Sequence, residues 1–482
     1  MNRQNIVLVM GCAIALAGCK PSSDAPVRQQ DAPAEKVKAE APPKAAVSAE
    51  AADDEKPAVT VFKNVKVFNG SDDKLIDADV LIEGNLIKKV GKNLSADGAT
   101  VIDGGGRTLM PGMVNMHEHL LSNLSFDYLL TSAYWDEVGA GGLIRAQDLF
   151  DMGFTTVRDA GGWALGVKRV IDRGDSRGPR MISTGGALTQ TGGHGDFRLP
   201  YQNNTFLSPA SDNPDHSLVQ ILGGAIRADG VAEVRRVARS GLAAGGHFVK
   251  VLGGGGVASP FDPLSSLQYS TEELRAAIEE AENYGTYATI HAHMDASVSR
   301  AVDVGFKMIE HATVMSEETA KKMGKKGVIW GMQTGLFMPD AATNPSYSND
   351  TQRAKGKIVE EGMKNSIKYA KKYKVKTLFG TDLIGPRKAY LEVFPQEWEF
   401  RSKYYTGFEV LQQATKNGGD GVALSGVKNP YPDGPLGVIE PGAYADILLV
   451  EGNPLNDILI LQNYKENIDL IMKDGKVYKN EL

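Results

Sequence analysis

Six side chains in this sequence could hold a metal ion: His117, His119, Lys250, His291, His311 and Asp382. Nearly all of them close a short apolar run. His117 and His119 follow Gly112-Met113-Val114-Asn115-Met116. Alternate residues of an extended segment point the same way, so both imidazoles can reach one ion. On its own a His-x-His pair is a weak signal. His291 ends Tyr287-Ala288-Thr289-Ile290, and His311 ends Lys307-Met308-Ile309-Glu310. Neutral imidazoles at those places suit a second ion. His293 points the same way as His291 and is the alternative ligand. We read His291 as the ligand and His293 as a group for substrate or proton transfer. Any one of these histidines reads as a core residue by itself; four at strand ends argue together for a site.

Lys250 lies inside Phe248-Val249-Lys250-Val251-Leu252 and precedes the run Gly253 to Gly256. An ammonium within an apolar strand is costly unless it is paired or neutralised. A buried ion pair with a carboxylate would account for it. So would carboxylation. Burial and nearby cations lower a lysine pKa, and the free amine can add carbon dioxide to give an anionic carbamate that bridges two ions. The glycines allow backbone and substrate to come close. Asp382 closes Thr377-Leu378-Phe379-Gly380-Thr381. A carboxylate there can bind metal and accept a proton from water; it could also be the N-cap of the next helix.

These residues need elements to carry them. Strand candidates end near His117, Val157, Ser183, Leu252, His291, His311, Met332 and Phe379, with helical segments between. Eight such strands with ligands at their C-terminal ends predict an α/β fold, a (β/α)8 TIM barrel over residues 111–430. One helix is signalled by the capping box Ser270-Thr271-Glu272-Glu273, an apolar face of Leu274, Ala277, Ile278 and Ala281, and a stop at Gly285. Residues 201–216, rich in Asn, Asp, Ser and Pro, read as part of a loop over the barrel mouth.

The flanks have a different texture. Val59-Thr60-Val61-Phe62, Val65-Lys66-Val67-Phe68, Val80-Leu81-Ile82, Leu86 to Val90 and Thr100-Val101-Ile102 are short strand candidates, with turns at Asn69-Gly70 and Glu83-Gly84-Asn85. Ala445 to Val450 and Leu470-Ile471-Met472 repeat the pattern, and Asp474-Gly475 is a hairpin signal. Residues 57–110 and 431–482 are therefore predicted to build one small β-sandwich into which the barrel is inserted.

Ahead of this lies a targeting segment, residues 1–19. Arg3 precedes the apolar run Ile6 to Leu16, too short for a stable spanning helix, and Leu16-Ala17-Gly18-Cys19 is similar to a bacterial lipobox. An ordinary secretory signal with an incidental Cys19 is the plainer alternative. With lipid on Cys19 and Lys20 rather than Asp after it, the expected location is the outer membrane, on its periplasmic face or at the surface. Cys12 and Cys19 are the two cysteines, so no disulfide is expected after processing. Residues 20–56 are Ala, Pro, Lys, Glu and Asp with almost no large apolar residue, and read as a disordered tether. The net charge of −6 without a basic stripe argues against nucleic acid as a partner.

Taken together the motifs resemble the metal-dependent amidohydrolase superfamily, over nearly all of the chain after the tether. They are Met110-Pro111-Gly112 before His117-Glu118-His119, Gly153 to Asp159, the Lys250 strand, His291-Ala292-His293, Glu310-His311, Gly380-Thr381-Asp382, Pro441 to Ile447 and Gly452-Asn453-Pro454. Thr191-Gly192-Gly193-His194-Gly195-Asp196 is similar to a loop of the imidazolonepropionase-like and prolidase-like branch, which includes Xaa-Pro and Xaa-Arg dipeptidases, N-acyl amino acid hydrolases and ochratoxin A amidohydrolases.

The resemblance implies a binuclear zinc site on His117, His119, Lys250, His291, His311 and Asp382, with carboxylated Lys250 as the bridge. It implies hydrolysis of a small amide or dipeptide with Asp382 as proton carrier. His194 and His293 become candidates for gripping an oxyanion or a substrate carboxylate, and Arg198 and Tyr201 are weaker ones, more simply read as solvated. The resemblance further implies a homo-oligomer, often an octamer among relatives. Cyclic amide hydrolysis is the second enzyme reading. A non-catalytic lipoprotein scaffold would be expected to have lost ligands, and none is missing here.

Overall fold

The computed structural model describes residues 57–198, 224–259 and 261–482. The targeting segment, the tether, Tyr201 and the predicted mouth loop 201–216 lie outside the described residues. Residues Pro57–Leu482 cluster as one unit. Among the described residues no helix is long and apolar enough to cross a membrane.

The first strands are β1 (Val59–Val67), β2 (Ile76–Glu83), β3 (Leu86–Gly91), β4 (Thr100–Asp103) and β5 (Thr108–Pro111). The two candidates expected at 59–62 and 65–68 are one strand. Its register against β2 shifts between Phe62 and Val65, where Asn64 takes a φ of 53°. A bulge of this kind breaks the alternation that a sequence reading follows.

The middle of the chain supplies β6 (Met113–Glu118), β7 (Phe154–Asp159), β8 (Arg180–Ser183), β9 (Ala187–Thr189), β10 (Ala225–Arg227), β11 (Val249–Leu252), β12 (Ala288–Met294), β13 (Met308–Val314), β14 (Ile329–Met332) and β15 (Thr377–Phe379). Seven of these form a parallel sheet in the order β10-β9-β11-β12-β13-β14-β15, and β6-β7-β8 form a second parallel sheet. All eight predicted strand ends belong to strands of these two sheets. The three-residue β9 and β10 are additional and too short to leave a periodic signal. Strands such as β7, with every residue buried, are what a parallel sheet covered on both faces requires. The crossovers include helices Trp135–Asp151, Thr271–Asn283, Asp295–Val304 and Asp350–Lys372. The capping box at Ser270 and Glu273 is present, and Gly285 follows the helix at a φ of 68°.

Hydrogen bonds link the two parallel sheets at two places without completing a ladder. Asp382 N donates to His117 O at 2.8 Å, just past β15, and His247 N donates to Ser183 O at 2.9 Å, just before β11. The family-like α/β architecture is consistent with a TIM barrel.

The chain ends meet. β16 (Ile447–Val450), β17 (Ile468–Lys473) and β18 (Lys476–Asn480) join β1–β5 in one eight-stranded sheet, through the antiparallel pairing of β16 with β5. Asp474 and Gly475 turn β17 into β18 with φ of 56° and 72°, as the hairpin signal required. Phe62, Val67, Ile82, Leu109, Ile447, Leu449 and Leu470 share a buried apolar cluster of this sheet.

Candidate functional site

The strand alternation expected of His117-Glu118-His119 holds. His117 and His119 turn to one side, where His119 Nε2 lies 3.0 Å and His117 Nε2 3.4 Å from Asp382 Oδ1. Glu118 goes the other way. Its Oε1 accepts from Asn115 Nδ2 at 2.7 Å and from the Tyr390 hydroxyl at 3.0 Å. Asp382 is no helix cap: the next helix is Arg387–Val393, capped by Pro386. Its backbone has a φ of 55°, a left-handed conformation that non-glycine residues hold only when their surroundings enforce it.

Around β13 alternation fails, and the failure builds the site. Glu310 and His311 are neighbours that should face opposite ways. His311 has a φ of 71° and Ala312 one of 39°. Both side chains reach the same region: Glu310 Oε2 lies 2.9 Å from His117 Nδ1, and His311 Nδ1 lies 3.8 Å from Asp382 Oδ2. The rings of His291 and His293 stand 4.4 and 4.8 Å from that of His311.

Two groups of ligand atoms each fall within 4.8 Å: His117, His311 and Asp382, and then His291, His293 and His311. The groups share His311. The geometry thus brings both His291 and His293 to the cluster. His194 also arrives, its ring stacked at 4.2 Å on that of His291. Gly256 makes room for it, since a Cβ on that residue would stand 1.9 Å from the His194 ring. Arg198 is not solvated; it pairs with Asp196 at 2.6 Å and is largely buried.

The outward nitrogens of the histidines are held by protein groups. His119 Nδ1 bonds Gly161 O at 3.0 Å, His311 Nδ1 bonds Gln333 Oε1 at 2.8 Å, and His293 Nδ1 bonds Thr313 Oγ1 at 2.9 Å. Such partners fix the tautomer and ring orientation of metal-binding imidazoles. Asp159 orders the turn below His119, accepting from Leu120 N and Gly161 N, each at 3.2 Å. Sequence reading missed Gln333, Thr313, Arg158 and the role of Glu310.

Lys250 decides whether the cluster suits metal. Its Nζ is buried and has no hydrogen-bond partner among the described residues. Nor does a carboxylate among them form the ion pair considered from sequence; Glu310 is engaged by Arg158 Nη2 at 2.5 Å. Burial lowers the lysine pKa to about 8; Glu310 and Asp382 act against that, and Arg158 with it. A value near 8 leaves the ammonium the main form at neutral pH but gives a far larger free-base share than an ordinary lysine has.

The imidazoles are likewise biased to the neutral form that binds metal. Burial brings His117 down to about 4 and His293 to about 3, and pushes His291 and His311 well below the usual range. His119 differs: burial would lower it, but the hydrogen bond and charge of Asp382 outweigh that and raise it. Burial opposes ionisation of Asp382, yet the charges of His117 and His119 hold it down at about 2. An unpartnered amine, inward-facing ring nitrogens and one ionised carboxylate fit divalent metal.

Comparison with known proteins agrees with this chemistry. The sequence is 30% identical to ochratoxinase from Aspergillus niger over 376 residues, 77% of this chain and 75% of that protein. The crystal structure of A. niger ochratoxinase matches with a TM-score of 0.76 at 27% identity, covering 88% of this chain and 96% of the other. An amidohydrolase crystal structure matches at 0.79 with 33% identity, over 88% and 100% of the two chains. A prolidase complexed with N-methylphosphonate-L-proline matches at 0.76 with 28% identity, again over 88% and 100%. The signature of the amidohydrolase family spans residues 108–478, from β5 into β18, and the chain belongs to that family.

Proposed function

We propose that the protein hydrolyses a peptide-like amide bond and releases an amino acid with a free carboxylate. The observation that carries this reading is the pair of ligand groups sharing His311, set around the unpartnered amine of Lys250. His117, His119, His291, His311, Asp382 and a carboxylated Lys250 would hold two divalent ions, zinc in our reading. Bound metal of this kind supplies Lewis acidity and lowers the pKa of water toward neutrality.

The chain's own residues do the rest. Asp382, ionised and hydrogen-bonded to His119, takes the proton of the attacking water and passes it to the leaving amine. His194 and His293 face the developing oxyanion or the substrate carboxylate. Glu310 and Gln333 hold His117 and His311 in place. The reading extends to a closed barrel, a homo-oligomer, and an N-terminus lipidated at Cys19 that tethers the enzyme to the outer membrane. Cys19→Ala should then move the protein from the membrane fraction to the soluble one.

The test is a product assay with zinc-loaded and chelator-treated protein on Ala-Pro, N-acetyl-L-phenylalanine and ochratoxin A. Release of the free amino acid by the loaded protein, and its loss on chelation, is the expected result. No cleavage of any of the three by loaded protein would sink the proposal.

A further inference from the structure

His194 does not stand on its own loop alone. Its Nδ1 is 2.7 Å from Ser259 Oγ, and its backbone N donates to Gln268 Oε1 at 2.9 Å. Gln268 Nε2 in turn donates to Asp262 Oδ2 at 3.0 Å, and so does Gly256 N, also at 3.0 Å. The ring therefore rests on the segment that carries Gly256, Ser259 and Asp262.

That segment is gripped from a distant helix. Lys355, in Asp350–Lys372, is buried, and its Nζ donates to Gly256 O at 3.0 Å, Ser259 O at 2.7 Å and Asp262 O at 2.6 Å. Gln352, one turn earlier, donates from Nε2 to Ala258 O at 2.6 Å. A lysine has three ammonium protons, and all three are spent on this one segment. Burying that ammonium is costly, and the buried carboxylate of Asp262, with Oδ1 3.9 Å away, offsets part of the cost while belonging to the same segment.

The Ser259 hydroxyl has two partners in reach, His194 Nδ1 at 2.7 Å and Gly256 O at 3.3 Å. A carbonyl oxygen has two lone pairs, so Gly256 O can accept from Lys355 and Ser259 together, and the Ser259 hydroxyl holds the His194 ring through the 2.7 Å contact in either tautomer.

We propose that Lys355 is a positioning residue for His194: it clamps the carbonyls of Gly256, Ser259 and Asp262, and so holds the place of the imidazole. The inference rests on the amide-hydrolase reading, in which His194 faces substrate.

The experiment compares wild type, Lys355→Met, Ser259→Ala and the double variant, all zinc-loaded, on the three substrates named above. Metal content and hydrogen–deuterium exchange over residues 253–259 are measured alongside. Displacing a group by about 1 Å costs on the order of tenfold to a hundredfold in rate. Lys355→Met should lower kcat/KM about tenfold with metal content unchanged, and exchange over 253–259 should speed up. Ser259→Ala should cost a similar factor. The double variant should be no worse than the worse single one, because both act through the same contact. Multiplying losses, or unchanged exchange in Lys355→Met, would overturn the proposal. If Lys355→Met does not fold, Lys355→Gln serves in the same comparison. If wild type cleaves none of the substrates, the functional reading fails, and exchange together with carbethoxylation of His194 decides. Faster exchange and a more reactive His194 support the clamp; no change in either overturns it.

Discussion

Arg158 donates to Glu310 at 2.5 Å with both side chains fully buried, and this leaves Lys250 without its obvious carboxylate. Arg158 is itself packed over the Phe248 ring and bonded to the Tyr287 hydroxyl at 3.1 Å. Glu310 is thus fixed on one side by a guanidinium and on the other by His117. Arg158→Met should strand a buried carboxylate and destabilise the protein by about 3–5 kcal/mol. Urea midpoints check this, and the Arg158→Met/Glu310→Gln pair should recover part of the loss.

Lys250→Ala should abolish metal retention and lower amidase activity more than about 100-fold, beyond what loss of a supporting hydrogen bond costs. Metal analysis after dialysis is the measurement. Retention of two ions per chain would contradict the role assigned to this residue.

Gly256→Ala should displace His194, since the new methyl group would meet its ring at 1.9 Å. The expected loss in kcat/KM is on the order of 100-fold, with metal content intact. Gly256 follows the strand of Lys250, and His194 stacks on His291, so metal analysis is run beside the rate to separate loss of His194 from loss of metal.

Metal-free protein should lose stability in mild acid, in part through His247. Burial lowers its pKa to about 4, with the charges of Lys168 and Lys428 adding to that and a hydrogen bond to Ser183 O opposing it. The folded state therefore resists protonation. The stability is fully present above the unfolded value of about 6.5. It is lost as pH falls from there through about 4, at roughly 1.4 kcal/mol per pH unit for one proton. Urea midpoints at pH 7, 6 and 5 should fall accordingly, and His247→Gln should flatten the slope by that one proton.

What could be read in the sequence was local. His117 and His119 obey a two-residue period, and most of the eight strand ends follow a short apolar run. What could not be read depends on partners far along the chain. Glu310 meets Arg158 and His117 at separations of 152 and 193 residues, and Gln333 meets His117 at 216. Nor does any period announce the positive φ at His311 that swings it to the same side as Glu310. The bulge at Asn64 misled the reading of β1 for the same reason: alternation is visible in a sequence, and its interruption is not.

The pairing of β5 with β16 has a consequence for how the chain is made. Thr108 Oγ1 reaches Gly452 O across 344 residues, and the buried Leu109 and Met110 pair with Leu449 and Leu448 of β16. During synthesis β5 waits with an open edge while the entire parallel region emerges. Such an edge invites pairing with another chain, and late long-range closure is slow. Chains ending before Ile447 should therefore accumulate as aggregates rather than as a smaller working enzyme.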